Sequence, residues 1–163
     1  MGAGKTVVGQ QLANYLVGKF YDSDVEITRQ SNLTISDFFN RYGEPRFRLL
    51  EGQVLKQLTN STISQQIVLA TGGGAVLSSA NRAVISNFGL VVYLKTSIIE
   101  QYQRTQYAAN RPLLQGSNDD CLATLTQLMA IRGPLYEQIA DIAINTDNHS
   151  IEQVVSYISN MIC

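Results

Sequence analysis

Five residues at the start of the chain, Gly2-Ala3-Gly4-Lys5-Thr6, could do chemistry on phosphate. They are the last part of a phosphate-binding loop, G-x-x-x-x-G-K-[ST], which runs from a strand into a helix. Glycines let the backbone curl so that N–H groups point at phosphate oxygens, and the positive end of the following helix adds attraction for the anion. In such a loop Lys5 reaches the β- and γ-phosphates and the Thr6 hydroxyl ligates Mg²⁺. Val7-Val8-Gly9-Gln10-Gln11-Leu12-Ala13-Asn14-Tyr15-Leu16 then carries apolar residues at helical spacing. The leading glycine of the motif and the strand that feeds it would both lie before Met1.

The elements that must position this loop alternate helix and strand. Phe20-Tyr21 reads as a short strand closed by Asp22-Ser23-Asp24, with Asp24 capping a helix from Val25 to about Gln30. Thr34 to Gly43 reads as a capped helix ending at a glycine. Pro45 suits the start of a longer helix whose apolar face is Phe47, Leu50, Val54, Leu55 and Leu58. Ile67 to Thr71 is a buried strand emptying into Gly72-Gly73-Gly74; Ser78 to Asn87 is helical; Leu90 to Leu94 is a second buried strand; and helix returns from Ser97 to Gln106. Residues from about 107 to 119 are polar at both ends without a clean period, and read as a mobile loop. Cys121 to Tyr136 is helical, with Gly133-Pro134 expected to bend or end it. Asp141 to Asn145 is the last strand, Thr146-Asp147-Asn148 a turn, and Ser150 caps a final helix facing Ile151, Val154, Val155, Ile158 and Met161 or Ile162 inward. This alternation predicts an α/β fold with a doubly wound parallel sheet and ligands at the carboxyl ends of the strands. The aspartate pair, the triple glycine and the Asn145-Thr146-Asp147 turn all follow strands.

Composition narrows the function. The chain of 163 residues suits one domain, 1–163, and its formal net charge of -1 gives no reason to expect nucleic acid or an acidic membrane surface. Cys121 and Cys163 have no zinc spacing and no disulfide framework, and His149, the single histidine, reads as surface. With no long apolar run and no signal peptide, a cytoplasmic protein is expected.

In order and spacing these motifs resemble the shikimate kinase family, small phosphate-loop kinases of aromatic amino-acid biosynthesis. The resemblance runs from Met1 to the end. It rests on Gly-Ala-Gly-Lys-Thr, Asp22-Ser23-Asp24, Gly43-Glu44 with Phe47-Arg48, Thr71-Gly72-Gly73-Gly74-Ala75-Val76, Arg111-Pro112-Leu113-Leu114 and Arg132-Gly133-Pro134-Leu135-Tyr136. It implies the fold of the nucleoside-monophosphate kinases, a monomer, and transfer of the ATP γ-phosphoryl to the 3-hydroxyl of shikimate. An anionic polyol suits the residues, because an anion needs cations and a polyol needs acceptors and backbone donors.

Residue by residue, the resemblance implies that Lys5, Asp24 and Arg111 are catalytic. Asp24 orients the attacking hydroxyl or takes its proton, and Arg111 is the lid arginine that swings onto the phosphates. Gly2, Ala3, Gly4, Lys5, Thr6, Arg104, Arg111, Asn145, Thr146 and Asp147 would bind ATP. Asp24, Arg48, Gly72, Gly73, Gly74 and Arg132 would bind shikimate, the arginines clamping its carboxylate through their planar forks. Glu51, one turn beyond Arg48, also resembles a residue near the substrate and pairs with Arg48 to orient it. Thr6 and, through water, Asp22 would hold Mg²⁺. The departure is the missing central first strand, whose burial would contribute about 8–15 kcal/mol. Met1 itself occupies the methionine position of the family's Gly-x-Met-Gly-x-Gly-Lys loops, so it is expected to be an internal methionine of a longer protein. Two other readings are a non-catalytic remnant that binds nucleotide or a partner, and a related small-molecule kinase such as gluconate kinase.

Overall fold

The computed structural model describes residues 2–60, 66–105 and 118–162. The elements run α1 (Lys5–Tyr15), β1 (Lys19–Asp22), α2 (Ser23–Ser31), α3 (Ile35–Thr59), β2 (Ile67–Ala70), α4 (Ser79–Phe88), β3 (Val92–Lys95), α5 (Ile98–Thr105), α6 (Asn118–Ile139), β4 (Ile142–Asn145) and α7 (Ile151–Ile162). The expected lid lies outside the described residues except at its end, where Asn118 and Asp119 already open α6.

The strands form two parallel pairs. Lys19 to Asp22 of β1 stand against Ile67 to Ala70 of β2, and Val92 to Lys95 of β3 against Ile142 to Asn145 of β4. Among the described residues no ladder joins one pair to the other. Between them lies an apolar cleft of about 630 Å³, bounded by Val68 and Leu69 of β2, Val92 and Leu94 of β3, and Val8 and Leu12 of α1. That is the room expected where a parallel sheet lacks its central strand.

Two cores flank the strands. One joins Val8 and Leu12 of α1 to Ile144 of β4 and to Val154, Val155 and Ile158 of α7. The other joins Ile27 of α2 to Phe38, Phe47 and Val54 of α3. The last turn of α7 departs from expectation. Met161 is largely exposed and Ile162 borders the cleft, while Ser159 takes a buried place.

Two further expectations are corrected. Asp22, not Asp24, caps α2: its carboxylate accepts from the Asp24 N–H at 2.9 Å. This frees the Asp24 carboxylate from capping. And α6 runs through Gly133-Pro134 to Ile139. Tertiary anchoring outweighs the proline's missing N–H: beyond it, Tyr136 packs its ring on Tyr93 with centroids 5.0 Å apart and donates from its hydroxyl to the Gly73 carbonyl. Thr34 caps α3 as expected, through the Asp37 N–H.

Gly43 interrupts α3 at φ 75°, ψ 168°, a backbone region open to glycine alone. The kink turns the helix so that Phe47 returns to Phe38 and Phe39 while Arg48 leaves toward the glycine loop. Gly89 is different, with extended backbone and nothing within 4 Å of an added Cβ. Gly43→Ala is therefore expected to destabilise the protein by about 1–3 kcal/mol. Gly89→Ala is expected to stabilise it by about 0.4–1 kcal/mol, by restricting the unfolded chain. Urea unfolding of the two variants checks both signs.

Candidate active site

The register of the strands builds the site. Asp22 stands opposite Ala70, so the chain leaves β1 into Ser23-Asp24 beside the point where it leaves β2 into Thr71-Gly72. Ser23, wholly buried, accepts the Gly72 N–H at 3.0 Å and fastens these two exits together. On the other pair Lys95 stands opposite Asn145, and the hydroxyls of Thr96 and Thr146 lie 2.7 Å apart.

The phosphate loop keeps its expected shape. Gly2 and Gly4 take φ 69° and 81°, a left-handed region that glycine enters without strain. The N-terminus of α1 has no side-chain cap and no acidic residue in its first turn. An uncapped helix N-terminus of this kind is favourable to an anion. The Thr6 hydroxyl donates to Asp22 Oδ2 at 2.8 Å. Arg104 reaches back to the same loop, meeting the Gly2 carbonyl at 3.4 Å and both oxygens of Thr146. The expected nucleotide residues Gly2, Arg104 and Thr146 are therefore in contact, with Asp147 next to them accepting from the Ser97 N–H.

The second half of the site is packed around missing side chains. A Cβ on Gly72 would stand 2.6 Å from Asp24 Oδ1 and 3.1 Å from Glu51 Oε1. One on Gly74 would fall within the Arg48 guanidinium. One on Gly73 would lie 3.3 Å from the Tyr136 hydroxyl and 3.8 Å from an Arg132 nitrogen. Three consecutive glycines are needed because five side chains close on one turn of backbone. A cavity of about 110 Å³ touches Lys5, Thr71, Gly72, Gly73 and Arg132, which joins the phosphate loop to this cluster.

Arg48 is held between two carboxylates. Glu51 is 1% exposed, and Arg48 donates to it and to Glu44, each at 2.8 Å. This makes the pair more than a surface contact. Burial raises the Glu51 pKa and outweighs the downward pull of Arg48 and Arg132; nearby Asp24 adds to the rise. Burial works against the charge of Arg48, but Glu51 and Glu44 prevail and raise its pKa. Arg132 is 6% exposed, and its Nε has no hydrogen-bond partner. A buried guanidinium donor left over in a cleft is a place for an anion.

Lys5, Asp22, Asp24, Arg48, Gly72 to Gly74 and Arg132 thus converge, and Arg111 lies outside the described residues. The expected disturbance of α6 at Gly133 does not mark Arg132; burial and its unpaired Nε do. Sequence reasoning missed Ser23 and Tyr136. Their signals were a serine held between two aspartates and a tyrosine one helical turn after an arginine.

The sequence model of one family, shikimate kinase, matches residues 1–163. The chain belongs to the shikimate kinase family. It is 48% identical over 159 residues to a shikimate kinase of Thioalkalivibrio sulfidiphilus, covering 98% of this chain and 81% of that one. It is 47% identical over 165 residues to that of Pasteurella multocida, covering 99% and 92%. Among solved structures, the shikimate kinase of Acinetobacter baumannii in complex with shikimate superposes with a TM-score of 0.93 at 42% identity, over 99% of this chain and 88% of that one. That of Aquifex aeolicus superposes with a TM-score of 0.82 at 30% identity, covering 99% and 91%. Family membership gives the phosphate loop and the glycine turn a common purpose, since these two clusters share one cavity.

A raised carboxylate pKa has a definite consequence. The folded protein holds the Glu51 proton over a pH range in which the unfolded chain has released it. This contribution to stability is fully present below the ordinary carboxylate pKa and is lost as pH rises through the folded value. Urea unfolding over about pH 4 to 7 should show a flatter slope of stability against pH in Glu51→Gln than in the parent. Equal slopes would contradict the assignment.

Proposed function

We infer that the chain transfers the γ-phosphoryl of ATP to the 3-hydroxyl of shikimate, giving shikimate 3-phosphate and ADP. The observation that carries this reading is the closure of Asp24, Arg48 and Arg132 on Gly72 to Gly74, in a cleft that Lys5 also lines. Arg48 and Arg132 take the carboxylate, one from each side, with the unpaired Nε of Arg132 as a ready donor. The glycine backbone lets the ring approach. Asp24 holds the acceptor hydroxyl and receives its proton as the new oxygen–phosphorus bond forms and the bond to the β-phosphate oxygen breaks. Lys5 and the uncapped N-terminus of α1 hold the phosphates before and after transfer.

The Thr6 hydroxyl and Asp22 carboxylate, 2.8 Å apart, are hard oxygen donors that fit Mg²⁺, with Asp22 acting through water. When bound, the ion would supply neutralisation of phosphate charge. Among the described residues no group of three or more acidic, histidine or cysteine side chains gathers as a cage, which suits an ion that keeps several waters.

Arg104 with Asn145, Thr146 and Asp147 forms the adenine side, supported by the bonds of Arg104 to Gly2 and Thr146. Arg111, on a lid of about residues 107–119 in a single domain, stabilises charge on the transferring group and excludes water. The same reading makes the protein a cytoplasmic monomer. Among the described residues no helix is long and apolar enough to cross a membrane.

ADP release with Mg²⁺ and either shikimate or gluconate tests the assignment. Release with shikimate alone is expected; release with gluconate alone would favour a related kinase, and bound nucleotide without release from either would favour a remnant. Arg132→Ala is expected to weaken shikimate binding by at least tenfold and leave ATP binding nearly intact, since loss of a charged hydrogen bond is worth about 1.5–3 kcal/mol. Calorimetric titration of each ligand reads the difference, and equal loss of both would remove Arg132 from the acid's pocket.

A further inference from the structure

Tyr136 lies one turn beyond Arg132 on α6, so the two side chains leave the helix on the same face. Its hydroxyl donates to the Gly73 carbonyl at 2.5 Å. Its ring is set against Tyr93 of β3, whose own hydroxyl turns away to the sulfur of Met129. The neighbouring residue of the glycine turn is fixed from the opposite element, where Ser23 accepts the Gly72 N–H. The turn is therefore held by one bond to a carbonyl and one to an amide, from two different helices. Among the described residues the N–H groups of Gly73 and Gly74 meet no protein acceptor.

In a trans peptide the carbonyl and the next N–H point in opposite directions. Holding the Gly73 carbonyl toward α6 thus turns the Gly74 N–H away from α6. The same bond sets the distance between the glycine turn and Arg132, because both partners ride on one helix. We propose that Tyr136 is a positioning residue for the acceptor: its bond to Gly73 aims the amides of the glycine turn and couples that turn to Arg132. It does this without touching the substrate. Burial raises the phenol's pKa, against the pull of Arg132 and Arg48, which keeps the hydroxyl a donor through the neutral range.

The proposal rests on reading Arg132 and Gly72 to Gly74 as the acid's pocket. Tyr136→Phe tests it, with Tyr93→Phe as the control, because each keeps its ring and loses only a hydroxyl. Steady-state kinetics with ATP and Mg²⁺ should show the KM for shikimate raised on the order of tenfold in Tyr136→Phe, with the KM for ATP unchanged. Tyr93→Phe should match the parent. Proton–nitrogen spectra of the ligand-free proteins give a readout independent of turnover: the Gly73 and Gly74 amide signals should shift in Tyr136→Phe and stay in place in Tyr93→Phe. An unchanged shikimate KM, an equal rise in both KM values, unmoved glycine amides, or the same loss from Tyr93→Phe would overturn the proposal. A parent protein that binds no shikimate would overturn the pocket reading itself and the proposal with it, and no variant is needed to see that outcome.

Discussion

A carboxylate kept almost wholly from water holds this site in shape. Glu51 is charged only at the cost of its hydration, and Arg48 offsets part of that cost. Removing one partner of such a pair leaves an uncompensated buried charge, an effect of about 3–5 kcal/mol. The guanidinium therefore has one well-determined place, against the backbone of Gly74. Every other feature of the acceptor side follows from that placement. The turn after β2 must be bare of side chains to pass Arg48, Asp24 and Arg132, and Ser23 and Tyr136 must hold by hydrogen bonds what side-chain packing cannot hold.

The strand register supplies the rest. Each parallel pair ends level, Asp22 with Ala70 and Lys95 with Asn145, so the loops after the two strands of a pair leave side by side. Phosphate loop, aspartates, glycine turn and the Thr146 turn meet without any long excursion of the chain. The pairs achieve this although an apolar cleft separates them. The helices α1 and α7 pack against each other and span the missing ladder from one face.

Much of this was legible in the sequence, for physical reasons. Parallel strands are short apolar runs, so Ile67 to Ala70 and Val92 to Leu94 announce themselves, although apart from Ala70 they are half-buried rather than buried as expected. Helix caps such as Thr34 and Ser150 carry their own chemistry. The site residues were legible because chemistry restricts them to few types. What was hidden depended on tertiary context. Asp22 displaced Asp24 as the cap because it ends β1 two residues earlier, with its carboxylate turned to the Asp24 amide. Pro134 failed to end α6 because Tyr136 beyond it is anchored twice. Periodicity offered Met161 or Ile162 for the inner face of α7 and could not choose between them; Ile162 borders the cleft and Met161 is exposed.

A crystal structure of the protein with shikimate bound tests the central claim most directly. The account predicts the carboxylate within hydrogen-bonding distance of both Arg48 and Arg132, the ring against Gly72 to Gly74, and a ring hydroxyl on Asp24 facing the Lys5 side of the cleft. A carboxylate turned toward Lys5 and the N-terminus of α1, or a ligand seated away from the three glycines, would contradict it.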